Sequence, residues 1–131
     1  MKLGVCMNDK AFDLEDRLVD FAVRIIGVVE APPDTKAGRH VAGQLVRCGT
    51  SPAPNYGEAQ AAESRKDFIH KMKVCLKELR ESMIWLKIIF RKPLCPPDRL
   101  ESIMRECDEL ISIFVSSIKT AQQNQAGEAA D

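Results

Sequence analysis

Glu78 and Glu81 stand three residues apart in the run KELRES, which puts two carboxylates on adjoining turns of one helix face. Such a pair can move protons or hold a divalent cation, but the same spacing arises on ordinary solvated helices. The chain offers little else of that kind. His40 and His70 are isolated, with no Glu-x-x-His of a di-iron bundle beside them and no cysteine in ligand register, and read as surface residues. The five cysteines Cys6, Cys48, Cys75, Cys95 and Cys107 form an odd set without a C-x-x-C pair. Cys48, Cys75 and Cys107 fall at apolar helical positions, as reduced core thiols do. The segment GTSPAPNYG carries hydroxyls, an amide and a phenol, but neither the spacing of a phosphate loop nor a lysine after its glycine; Ser51 and Asn55 are expected to bond backbone groups there. No Ser-His-Asp or Cys-His arrangement emerges. The expectation is a protein with no catalytic residue, no metal and no cofactor. The alternative is a bundle that binds a metal or small ligand through Glu78 and Glu81.

A stronger pattern is cationic. Lys66, His70, Lys73, Lys77, Arg80, Lys87 and Arg91 recur at steps that place them within roughly a 100° arc of a helix. Between residues 64 and 92, nine lysines and arginines (65, 66, 71, 73, 77, 80, 87, 91, 92) face three acids (67, 78, 81). Lys73 with Lys77 and Lys87 with Arg91 are like-charge pairs that each cost a few tenths of a kcal/mol unless an anion offsets them. The whole chain is balanced, nineteen basic against nineteen acidic residues, so no global field draws nucleic acid or an anionic membrane. Two expectations follow. Acidic neighbours or a neighbouring subunit neutralise the stripe, or Lys66, Lys73, Lys77, Arg80, Lys87 and Arg91 contact the phosphate backbone of RNA or DNA.

The same helix is apolar on more than one side. Val74, Ile84, Trp85 and Ile88 lie away from its main stripe, and a helix apolar nearly all round is buried twice. Trp85, the single tryptophan, is a favoured interface anchor. This marks Arg47, Val74, Glu78, Glu81, Trp85 and Ile88 as a subunit contact, with the two glutamates pairing across it to Arg47 or Arg80.

These residues must be held by helices. Over residues 64 to 92, Phe68, Met72, Cys75, Leu76, Leu79, Met83, Leu86 and Ile89 form one apolar stripe, and Ser64 with Asp67 forms a capping box at its start. Residues 12 to 29 form a first amphipathic helix through Leu14, Leu18, Phe21, Ala22, Ile25, Ile26 and Val29, ended by APPD. A second helix spans about 35 to 48, with Ala37, Val41, Leu45 and Cys48 inward. The stretch 49 to 57, with Pro52 and Pro54, is expected to break or kink the chain, with a short helical piece resuming through about 58 to 63. A last helix begins near Asp98, its stripe being Leu100, Ile103, Met104, Cys107, Leu110, Ile111, Phe114, Val115 and Ile118. With 131 residues and no alternating segment, the expected fold is all-α: one antiparallel up-down-up-down four-helix bundle, kinked by prolines between helices 2 and 3. Residues 1–10 form a flexible arm, 11–122 the bundle and 123–131 a disordered tail. The N-terminus has no continuous apolar region, and the longest apolar run, 83 to 90, is interrupted by Lys87, so a cytoplasmic protein with no membrane partner is expected.

Two stretches, QLVRCGTSPAPNYGEA and DFIHKMKVCLKELRESMIWL, carry a resemblance. They are similar to a bacterial family of small four-helix-bundle proteins first noted in intervening sequences of large-subunit ribosomal RNA genes. Gln44, Leu45, Arg47, Ser51, Asn55, Tyr56, Glu58 and Ala59 fit its first motif; Asp67, Phe68, Ile69, Lys77, Glu78, Glu81, Ser82, Trp85 and Leu86 fit its second. The chain departs from the family pattern where Pro52 and Pro54 stand for Ile and Ala. The resemblance implies a homopentamer with a central channel and no enzymatic activity. A relative, the accessory protein of diversity-generating retroelements, implies a partner among RNA, DNA or a reverse-transcriptase-like protein.

Overall fold

The 3.5-residue spacing of buried side chains decides the architecture. Leu14, Leu18, Phe21, Ile25 and Val28 alternate steps of four and three, as do Met72, Cys75, Leu79, Ser82, Leu86 and Ile89, and Leu100, Ile103, Cys107, Leu110 and Phe114. That alternation keeps one narrow seam of each helix turned toward its neighbours over many turns. In the computed structural model, which describes residues 10 to 130, the chain is all-helical: α1 Lys10–Val29, α2 Lys36–Thr50, α3 Pro52–Gln60, α4 Arg65–Arg91 and α5 Pro97–Ala130. No strand occurs among the described residues. The helices bury one continuous core in which Phe21, Phe114, Leu18, Leu79 and Leu86 are fully enclosed, each contributing about 1.5–3 kcal/mol.

Specific bonds fix the directions of the helices. Arg17 bonds Glu106 while Arg24, further along α1, bonds Ser102, so α1 and α5 run opposite ways. Arg65 meets Glu128 and the Leu79 carbonyl meets Cys107, so α4 and α5 do too. His40 sits at Trp85 while Arg47 sits at Glu78 and Glu81, which opposes α2 to α4. α4 packs most extensively on α5, then on α3 and α2; α1 packs on α2, α3 and α5. α1 and α4 therefore occupy opposite corners.

Local chemistry sets the ends. Thr35 Oγ1 accepts from the Gly38 amide at 3.1 Å, and Ser64 Oγ accepts from the Asp67 amide at 3.0 Å, each satisfying one free donor of a first turn. At Gly49 a Cβ would lie 2.8 Å from Ile25 carbons, so only glycine lets α2 approach α1 this closely.

Four sequence expectations need correction. The break expected over 49–57 is confined to one residue: α2 continues to Thr50, Ser51 keeps a right-handed helical conformation (φ −73°, ψ −36°), and α3 starts at Pro52. Pro52 and Pro54 both fall in the first turn of α3, where a missing N–H costs no helical bond, and the first ladder bond runs from the Asn55 amide to the Ser51 carbonyl at 3.2 Å. The short helical piece expected over 58 to 63 thus begins and ends earlier, at Pro52 and Gln60. In α4 the expected Met72, Cys75, Leu79, Leu86 and Ile89 are buried, but Ile69 and Ser82 are buried in place of the expected Phe68 and Met83, which are half-buried, because the seam shifts by one residue at these two turns. In α1, Ile26 is exposed and Val28 buried, and Ala37 of α2 and Val115 of α5, expected inward, are exposed. The tail expected to be disordered is helical to Ala130. Its alanine, glutamine and glutamate are good helix formers, and Arg65 donates to Glu128 at 2.7–3.2 Å, tying the last turns to α4. The expected arm lies outside the described residues except for Lys10, which opens α1.

Candidate interaction faces

One flank of α4 is a polar cluster closed within the chain. Glu78, Glu81 and Trp85 follow at three- and four-residue steps and face α2, where His40 and Arg47 lie two turns apart. Arg47 donates Nη1 to Glu78 at 3.3 Å and Nη2 to Glu81 at 2.5 Å, and the Trp85 indole N–H donates to the same Glu81 oxygen at 3.2 Å. The His40 ring meets the Trp85 ring edge-on, centroids 5.8 Å apart. Hydrogen bonds from Arg47 and then Trp85 hold the Glu81 carboxyl below the usual carboxylate range, and Glu81 in turn raises Arg47. The pairing expected across a subunit contact is thus made inside one chain, because antiparallel α2 brings a single guanidinium level with two successive carboxylates. Arg80 takes no part; it faces outward. The guanidinium also sits where a divalent cation shared by the two carboxylates would have to sit, and among the described residues no group of three metal-ligating side chains converges.

Beneath this flank lies a residue with no assigned role at the sequence level. Ser82 is fully buried, donating to the Glu78 carbonyl at 2.8 Å and lying 3.3 Å from Cys48 Sγ. Its polar type hid it, although its place in the three-four alternation was a usable signal. The thiols Cys48, Cys75, Cys95 and Cys107 are free and buried. Burial pushes Cys75 and Cys107 up to about 12 and raises the other two, which makes them poor nucleophiles.

The outward face of α4 differs. Lys66, His70, Lys73, Lys77, Arg80, Lys87 and Arg91 are all exposed, as the stripe implied, and no ion pair among the described residues involves them. Ile84 (55% exposed) and Ile88 (39%) share this face, while Val74 and Trp85 are half-buried toward α2. The opposite corner carries a second exposed apolar stripe that sequence reasoning missed: Val19, Val23 and Ile26 on α1, 45–62% exposed. Apolar residues on two sides of α1 were the available signal, but Ile26 was assigned to the core. Elsewhere, a shallow groove of about 350 Å³ between the start of α4 and the far part of α5 is lined by Arg65, Phe68, Ser117, Thr120 and Asn124. Its one charged side chain is already committed to Glu128.

Residues 11–116 match the sequence profile of the 23S rRNA-intervening sequence proteins. The chain belongs to this family. Its fold is similar to the crystal structure of a protein of unknown function from the S23 ribosomal protein family of Bacteroides thetaiotaomicron VPI-5482. That structure is 32% identical, has a TM-score of 0.77, and the alignment covers 85% of this chain and 99% of that one. Comparison with curated proteins finds no match. The family assignment brings no biochemical role with it. Among the described residues no helix is long and apolar enough to cross a membrane.

Proposed function

We propose that this family member is a non-enzymatic interaction module that works as a homo-oligomer, the pentamer implied by its resemblance, in the cytoplasm. The observation that carries this is the distribution of exposed apolar side chains. Among the described residues, five of the six large ones, Val19, Val23, Ile26, Ile84 and Ile88, lie on α1 and α4, at opposite corners of the bundle. Side chains of this size left half in water on two faces, each rimmed by charge, favour a protein contact, since covering one returns about 25 cal/mol per Å² of apolar surface. Two distinct patches per chain suit an assembly in which each copy contacts two others. Native mass measured across a concentration series tests this: assembly is expected for the parent, and Ile84→Asp with Ile88→Asp is expected to dissociate it. A parent that stays monomeric at every concentration would sink the proposal. Trp85→Ala asks separately whether the half-buried tryptophan adds to the contact or only braces α2.

A second reading has its own observation, the exposed and unpaired row of cations on α4. Six cations along one helix face suit a phosphate backbone, so RNA, DNA or a nucleic-acid enzyme is the partner class this surface favours after the chain itself. Binding to a structured RNA over a salt series, with the Lys73/Lys77/Arg80 to Ala variant alongside, tests it. A shallower salt dependence for the variant supports phosphate contact; equal slopes refute it.

A further inference from the structure

The outward faces of α1 and α4 complement each other in charge, in apolar character and in height. Heights follow from bonds to their shared neighbour α5. Arg17 of α1 bonds Glu106, and the carbonyl of Leu79 on α4 accepts from Cys107 one residue further on, so Arg17 and Leu79 stand at one level. Both helices climb from that level in the same direction, since each runs antiparallel to α5. Glu15 lies two residues below Arg17 and Lys77 two below Leu79. Val23 is six residues above and Ile84 five; Ile26 and Ile88 are each nine above, about 13 Å at 1.5 Å per residue. Glu30 is thirteen above and Arg91 twelve. Acid therefore matches base at both ends of the faces, and apolar matches apolar between them. All eight side chains are exposed.

Within one chain these faces point away from each other across the bundle, so they can meet only between copies. We infer that the outward face of α1 in one copy docks, parallel and at the same height, on the outward face of α4 in the next. This rests on the self-association proposed above and adds which surfaces meet. A head-to-tail contact with no rise between copies closes into a ring, whereas one with a rise would propagate as a fibre. At about 100° per residue, Val19 and Ile26 turn away from the Arg17 and Arg24 side of α1 that faces α5. The dock covers Lys77 and Arg91, so a polyanion and a second copy compete for one face of α4.

Four proteins test this by native mass over a concentration series at low salt: the parent, Glu15→Lys with Glu30→Lys, Lys77→Glu with Arg91→Glu, and all four changes combined. Circular dichroism confirms that each is folded. Each two-residue reversal is expected to raise the dissociation concentration by about tenfold or more, since like charges are brought together, and the combined chain to recover most of the loss. A monomeric parent defeats self-association itself. An assembled parent whose reversals stay assembled, or whose combined variant is no tighter than either reversal alone, overturns the α1-on-α4 dock and leaves self-association standing. Inorganic polyphosphate is expected to lower the parent's assembled mass; polyphosphate that binds without lowering it also overturns the dock.

Discussion

The two sides of α4 carry almost the same kinds of residue and treat them in opposite ways. On the flank toward α2, the charged and buried polar groups meet partners in the same chain: Arg47 answers Glu78 and Glu81, Trp85 answers Glu81, and Ser82 answers a carbonyl beneath them. On the outward side, one third of a turn away, Lys77, Arg80, Lys87 and Arg91 have no ion-pair partner among the described residues, and two isoleucines stand in water between them. A satisfied cluster braces a fold, while an unsatisfied one is stability held back for something outside the chain. Motif spacing alone does not separate the two, because Glu78, Glu81 and Trp85 look as much like an interface as Ile84 and Ile88 do.

Substitutions on each side of α4 separate the two kinds of surface. The largest expected effect is in the seam that both sides share: Leu79→Ala should cost about 2–5 kcal/mol of unfolding free energy in urea titration, as a buried leucine truncation does, whatever happens to assembly. Next, Ser82→Leu should cost about 1–3 kcal/mol by overpacking against Cys48 in a position with no spare volume. If it is neutral, the satisfied side is looser than described. Replacing both Ile84 and Ile88 with Asp should leave monomer stability within about 0.5 kcal/mol, since both are exposed, yet abolish assembled mass; a large loss of stability instead would place them with the brace.

Smaller still is the pH effect. Glu81 titrates lower in the folded chain than unfolded, so its bond to Arg47 adds stability at neutral pH, and that stability is lost as pH falls through the depressed folded value. Arg47→Met should therefore flatten the acid limb of melting temperature against pH and change little in the alkaline range; an unchanged acid limb would mean that the pair is solvent-screened. Glu128→Ala is expected to have the least effect, faster amide exchange in the last turns of α5 with no shift in the global melt.

Much of the fold was readable because it depends on near-neighbour spacing. The three-four alternation, the Ser64 cap and the proline clusters near residues 33 and 96 each act within a turn or two, and they mark four long helices correctly. What failed also has a local cause. Proline removes an N–H, and whether that matters depends on whether it falls in a first turn, where Pro52 and Pro54 both do. The tail failed because its helix leans on Arg65, sixty-three residues away. The candidate site was legible as a residue list and not as an arrangement. The sequence marks Arg47, Glu78, Glu81 and the α4 cations, but which of them are spent within the chain depends on which helix lies beside which. The α1 stripe escaped for the same reason, since Ile26 differs from Ile25 only in the direction it faces.

The buried thiols have one further use. Burial covers Cys75 and Cys107 completely and pushes both thiols up to about 12, so a maleimide or an oxidant has no route to a reactive thiolate while the bundle stays shut. Alkylation must wait for a helix to lift away. The chain therefore carries its own stopwatch: the rate at which Cys75 and Cys107 are modified reports how often the core opens, with no residue introduced for the purpose.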